Sequence, residues 1–316
     1  MKNLYPDIEP NITHQLEVGQ GHTLMVEECG NAAGIPIVFL HGGPGSYCKS
    51  HHRCFFNPSI YRIILFDQRG AGRSTPSGNL QFNTTDHLLA DMELIREKLN
   101  IDKWIIFGGS WGATLSLLYA QKHTDKVLGL ILRSIFLARK SDVSWFYIEG
   151  GVNKYFPKQW QKFFELTSVN QEELLTTYYE ALTGNDINIR NTAALTWAAW
   201  AGCVVSNGRF PEPTEVSEKL LNSVRIECHY LYHNHFIKEN QLISNINKVA
   251  NIPTVLIHGQ KDLVCLPENS QLLKQHLPMA KLKLIPTGGH LSDDPAMISA
   301  LVEATDEMGK LNILEG

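Results

Sequence analysis

Four short segments, "IPIVFL" (35–40), "YRIILFD" (61–67), "KWIIFG" (103–108) and "VLGLILR" (127–133), are apolar at nearly every position rather than at alternate ones. A strand of that kind has to be covered on both faces, which a parallel sheet clothed in helices provides. Between the second and third lies "TTDHLLADMELIREKLN", where Leu88, Leu89, Met92, Ile95 and Leu99 form one helical stripe behind threonines suited to an N-cap. "ATLSLLYAQKH" after Ser110 is helical by the same test. Ahead of the series, "HQLEV" and "HTLMVEE", joined by Gly19-Gln20-Gly21, read as a β-hairpin. The rhythm stops after Arg133. Residues 135–246 are rich in Trp, Tyr and Phe, helical in pattern and without a clear strand. It resumes with "PTVLIHG" (253–259), a helix near 268–276, "KLKLIP" (281–286) and a helix from about Pro295. The expected fold class is α/β: a mostly parallel sheet (1–134 and 247–316) carrying an inserted helical cap (135–246).

Composition narrows the function. A formal charge of −4 supplies no basic field, so neither nucleic acid nor an anionic membrane is an expected partner. "MKNLYPDIEPNITHQ" lacks the apolar stretch of a signal peptide, and no run reaches the roughly 18 apolar residues that span a bilayer. The six cysteines show no CxxC pair or regular spacing, consistent with reduced thiols. Cytoplasm is the expected compartment. No internal repeat is present.

Chemistry concentrates at "WIIFGGSWGATL" (104–115). Gly108-x-Ser110-x-Gly112 follows a strand and opens a helix, the setting of a nucleophile elbow, where glycines permit a strained backbone and close strand–helix packing. An isolated GxSxG is weak evidence, because small residues gather in many turns; the strand–helix context gives it weight. A serine needs a base, and the base a carboxylate to orient it. Among 13 histidines, position after a strand selects His290 in "LIPTGGH", and likewise Asp262 in "LIHGQKD". Asp293 and Asp294 compete as the acid, but they look like an N-cap before Pro295. "HGGPG" (41–45), after the first strand of the series, can aim a backbone N–H at a tetrahedral oxyanion; the expected donors are Gly43 and Trp111. Asp67 and Arg69 in "FDQRGAGRS" are expected to brace that loop. His229, His233 and His235 include an i,i+4 pair with metal-ligand spacing, but without a placed third ligand they read as a cap cluster. Trp197 and Trp200 read as packing. No metal or organic cofactor is called for.

"HGGPG", "DQRGAGRS", "GGSWGATLSLLYA", "LILRSIFLARK", "WFYIEGG…YFPKQW", "RIECHY" and "HGQKD…GGH" together resemble the proline iminopeptidases (prolyl aminopeptidases) of the α/β-hydrolase fold, from about residue 15 to the end. The resemblance implies release of N-terminal proline from small peptides or amides by Ser110, with Asp262 and His290 completing the triad. Phe136, Phe146 and Tyr147, with the adjoining Trp145, match positions that wall the family's proline pocket. The family holds the substrate amine with two cap glutamates. One matches Glu227; the other, in a W-x-x-W-E pattern, is replaced by Ala201, and Leu231 stands where an aromatic residue is usual. An esterase, lactonase or amidase with an altered cap is the competing activity, and a non-catalytic binding protein a third reading. The complete Ser/Asp/His set argues against the last.

Overall fold

The computed structural model describes residues 1–166 and 173–315. An eight-stranded sheet runs through its centre. β1 (Ile12–Glu17) and β2 (Thr23–Gly30) form the antiparallel hairpin, and β2 pairs antiparallel with β4 (Tyr61–Phe66). β3 (Ile35–Leu40), β5 (Trp104–Gly109), β6 (Val127–Arg133), β7 (Thr254–Gly259) and β8 (Lys281–Ile285) join β4 in parallel, in the order β1-β2-β4-β3-β5-β6-β7-β8. These limits lie within a residue of those expected from the apolar runs.

The continuous apolar character has the expected cause. Ile106 and Leu130 face one core cluster with Met92, Ile95 and Leu115; their neighbours Ile105 and Ile131 face another with Phe56, Met297 and Leu301. The first cluster holds α1 (Thr85–Lys98) and α2 (Trp111–Lys122) on one face, and the second holds α10 (Pro295–Glu315) on the other.

The sheet order also places the site. The chain passes from β3 to β4 on one side, then returns through α1 to β5 on the other side of β3. At such a reversal the loops leaving the two strands diverge and open a crevice beyond their carboxyl ends. Here those loops are "HGGPG" after β3 and the serine corner after β5.

Between β6 and β7 lie α3 (Lys140–Tyr147), α4 (Pro157–Glu165), α5 (Leu174–Thr183), α6 (Ile187–Val205), α7 (Glu218–Tyr232) and the single turn α8 (Gln241–Ser244). Trp160, Phe163, Tyr178, Trp197 and Trp200 give α4–α7 their own core. Leu242 on α8 and Ile246 just after it pack instead with the sheet-facing cluster. After β7, α9 (Glu268–His276) leads to β8. Among the described residues no helix is long and apolar enough to cross a membrane, and all six cysteines are free and buried.

Candidate active site

Ser110 sits between the last residue of β5 and the first of α2, with φ 57° and ψ −122°. Its N–H donates to the Arg133 carbonyl at 3.0 Å, so the corner is anchored to β6. A Cβ on Gly108 would strike the Gly112 carbonyl, and one on Gly112 would strike the Leu40 carbonyl of β3. Both glycines are therefore required for α2 to start so close to the sheet. The positive φ of a non-glycine residue is backbone strain of the kind that persists where surrounding packing enforces it.

The loop after β3 passes over this corner. A Cβ on Gly42 would lie 3.5 Å from Ser110 Cβ, and Gly43 has φ 111°, a conformation that favours glycine. Gln68 holds the loop. Its N–H donates to His41 Nε2 and its amide to the His41 carbonyl, both at 3.0 Å, while its Oε1 accepts from the Trp111 indole at 3.0 Å. His41 Nδ1 donates to the Gly42 carbonyl, leaving Nε2 as the acceptor. Burial pushes the His41 pKa down, which keeps the ring in that neutral form. Asp67 takes the bracing role expected of it: its carboxylate accepts from the N–H groups of Cys48 and Arg73. Arg69 does not. It forms a buried two-pronged pair with Asp91 of α1 and donates to the carbonyls of Val18 and Phe82, tying α1 to the hairpin.

Asp262 and His290 come from the loops after β7 and β8. His290 Nδ1 donates to both Asp262 oxygens, at 3.0 and 2.9 Å, which leaves Nε2 unprotonated in the neutral ring. Asp262 Oδ1 also accepts from the N–H groups of Val264 and Cys265, and His258 Nε2 lies 3.4 Å from Oδ2. Burial alone would raise the Asp262 pKa. The charge of His290 and the hydrogen bonds from His258 and His290 outweigh it and hold the carboxyl well below the usual range. Asp294, one of the rival acids, accepts from Ala296 and Met297 N–H at the start of α10. Asp293 is exposed on the cavity wall.

A cavity of about 700 Å³ opens above the sheet, walled by Ser110, His290, Gly43, Phe136, Phe146, Tyr147 and Glu227. Asp262 and Trp111 are buried. Ser110 and His290 share this cavity without a hydrogen bond between them among the described residues, and Cys265 lines it beside them. Ala201 and Leu231, the two departures from the resembled pattern, also line it.

Asp142 of α3 also lines the cavity but pairs with Arg139; the acidic group of the cap wall without an ion pair, among the described residues, is Glu227 on α7. Tyr147 Oη donates to its Oε1 at 3.3 Å and Trp197 Nε1 to its Oε2 at 3.2 Å. Burial pushes its pKa up to about 7 despite those two donors. A half-charged carboxylate among aromatic rings, with no cation paired to it among the described residues, is chemically suited to a buried ammonium. Trp197 thus does more than pack, whereas Trp200 packs against Phe146 and Trp160. His229 meets the Asn83 carbonyl and His235 stacks on Trp111; among the described residues no group of three His, Cys, Asp or Glu is placed to hold a metal.

Gln68, His258, Cys265 and Trp197 were not singled out for these roles by sequence. Gln68 stands inside "DQRGAGRS" and His258 inside "LIHGQKD", so both motifs marked the right neighbourhoods.

A family model for the alpha/beta hydrolase fold matches residues 35–292. The probable proline iminopeptidase of Leptolyngbya boryana is 42% identical, with 97% of each chain covered. The proline iminopeptidase of Xylella fastidiosa strain 9a5c is 43% identical, covering 97% of this chain and 99% of that one. Among solved structures, a proline iminopeptidase-related protein from Thermus thermophilus aligns with a TM-score of 0.60 over 95% of this chain and 98% of its own, at 20% identity. That last likeness speaks to fold alone.

Proposed function

The chain belongs to the proline iminopeptidase family of the alpha/beta hydrolase fold, and from that membership we propose that it releases N-terminal proline from peptides by acyl transfer through Ser110. The observation that carries this reading is Glu227, a carboxylate walled by aromatic rings in the same cavity as Ser110 and His290.

The prolyl ring lies among Phe136, Phe146 and Tyr147, and its ammonium pairs with Glu227. The serine hydroxyl attacks the prolyl carbonyl as its proton passes to His290 Nε2. Asp262 holds the ring in the receptive tautomer and stabilises the imidazolium that forms. The N–H groups of Gly43 and Trp111 take the oxyanion, and Gln68 supports that assignment by linking the two segments that carry them. Collapse breaks the C–N bond as His290 protonates the leaving amine. Water, deprotonated by His290, then cleaves the prolyl ester, and Ser110 regains its proton.

We also propose a core–cap–core division close to 1–134, 135–246 and 247–316. The packing of Leu242 and Ile246 with the sheet-facing cluster supports a return to the core near the second of those boundaries. Ala201 leaves one carboxylate for the amine instead of the family's two, so the activity to be compared is that on simple acyl esters. The test is a panel of aminoacyl-naphthylamides and acyl esters with wild type and Ser110→Ala. Prolyl-naphthylamide is expected to lead the panel, and a fluorophosphonate to label only the wild type. Preference for acyl esters, or labelling that survives Ser110→Ala, overturns the assignment.

A further inference from the structure

Arg133 ends β6 directly opposite Gly109 of β5, and its carbonyl receives the Ser110 N–H. Its guanidinium lies against Gly109: a Cβ there would be 2.5 Å from Nη2 and 2.9 Å from Nε. The side chain forms part of the cavity wall. Nη1 donates to Ser134 Oγ and to the His290 carbonyl, while Nε and Nη2 have no acceptor among the described residues. No carboxylate forms an ion pair with it there. The buried arginines contrast with this part-exposed one: Arg53 meets Glu27, Arg69 meets Asp91 and Arg96 meets Glu93.

A part-exposed guanidinium on the cavity wall, with two donors that have no protein acceptor among the described residues, suits an anion, and its planar fork matches a carboxylate. Asp262 acts on Arg133 electrostatically without pairing with it, and burial lowers the pKa of the guanidinium. Lys49, His51 and His52 line the same cavity, whose acidic residues are Asp142, Glu227 and the exposed Asp293.

The position suits a short substrate. The guanidinium lies over Gly109, the residue before the nucleophile, and lines the same cavity as Ser110. In a dipeptide Pro-Xaa the free carboxylate is one residue beyond the scissile carbonyl. Such a molecule carries a cation at one end and an anion at the other. The cavity offers Glu227 from the cap, Ser110 from the elbow and Arg133 from the sheet.

We propose that Arg133 receives the terminal carboxylate of a prolyl dipeptide, making free Pro-Xaa dipeptides the substrates this cavity favours. The proposal rests on the proline-releasing activity above. A longer peptide or an amide presents a neutral group where the dipeptide presents its charge.

The test compares Pro-Gly with Pro-Gly amide, which differ only at that group, using full-length enzyme. Wild type is expected to show kcat/KM about tenfold or more higher for the free acid, the size of a charge-assisted hydrogen bond. Arg133→Gln is expected to bring the ratio of the two constants near one, and Arg133→Lys to retain part of it. A wild-type ratio of one or below overturns the proposal whether or not the variants fold. So does an Arg133→Gln enzyme in which both constants fall equally, since that is the signature of an arginine that only holds the His290 carbonyl. Cleavage of neither dipeptide nor of prolyl-naphthylamide removes the proline reading itself, and this proposal with it.

Discussion

Glu227 is the residue at which charge, burial and specificity meet. Its pKa near 7 leaves it partly protonated at neutral pH in the free protein, and only the ionised form pairs with an ammonium. The kcat/KM for prolyl amides is therefore expected to rise with pH through about 7, in addition to any limb shared with an acyl ester that lacks the amine. Glu227→Gln is expected to remove that extra limb and to lower prolyl-amide kcat/KM by about ten- to a hundredfold, with acyl-ester turnover little changed. Stability moves the opposite way. A carboxyl whose folded pKa is raised holds its proton in the folded state above the pH at which the unfolded chain loses it. Its contribution is thus present at low pH and lost as pH rises from the ordinary carboxylate range through about 7. Glu227→Gln is expected to gain stability relative to wild type across that window, measured as the difference in Tm at a series of pH values. Equal losses on amide and ester would mean that Glu227 supports the cap rather than the substrate. Glu227 was legible in sequence only through the family pattern "RIECHY". Its partners Tyr147 and Trp197 come from two other helices, so no local spacing could have joined them to it.

At the scale of elements, the site is a junction of strand ends. β3, β4 and β5 finish side by side, and Gln68, just past β4, holds the other two exits together through His41 and Trp111. Gln68→Leu keeps the volume but leaves the His41 carbonyl and the Trp111 indole without their partner. Two buried orphaned groups predict a loss of about 2 kcal/mol or more in urea unfolding. On the proposed mechanism the oxyanion donors Gly43 and Trp111 shift while the cap pocket stays, so kcat is expected to fall about tenfold or more with KM less affected. An unchanged kcat would separate the Gln68 bridge from the chemistry. The elements themselves were legible because every parallel strand except β8, which alternates lysine and leucine, is apolar on both faces, a pattern that tertiary context seldom disguises. The expectation for Arg69 missed for the complementary reason. An arginine in a loop reaches several ångströms, and only the folded chain shows that Asp91, on the following helix, lies within that reach.

For the whole molecule, activity depends on how the cap is seated. Ser110, His290 and Arg133 belong to the sheet, whereas Glu227, Phe146 and Tyr147 belong to the cap, so the cavity exists only where the two meet. Ile226 and Tyr230 of α7 pack into the sheet-facing core, and specific polar contacts cross the boundary beside them. Asn83, buried ahead of α1, accepts from Tyr230 Oη at 2.9 Å and meets His229 with its carbonyl, while its amide donates to the Arg69 carbonyl. Asn222 donates to Ser77, and the Trp145 indole to the Leu263 carbonyl. Asn83→Ala is expected to cost about 2 kcal/mol, since the Tyr230 hydroxyl and the Arg69 carbonyl lose their partner. It is also expected to raise KM for prolyl amides more than for small acyl esters, because the proposed amine anchor lies in the cap and the proposed nucleophile on the sheet. Thermal unfolding and parallel kinetics on the two substrate classes check both parts.

The sequence by itself determined the sheet-forming segments, the strained corner at Ser110, and the chain order Ser110, Asp262, His290. Each of these is written in a local pattern: an apolar run, a glycine at a fixed offset, a polar residue just past a strand. Only the tertiary structure decided which polar groups would be left without partners. That Arg133 ends with two free donors while Arg69 is fully paired depends on what the rest of the chain brings near each guanidinium. The carboxyl of Glu227 is raised for the same kind of reason: aromatic rings from separate helices exclude water around it, and burial is a property of the packed whole.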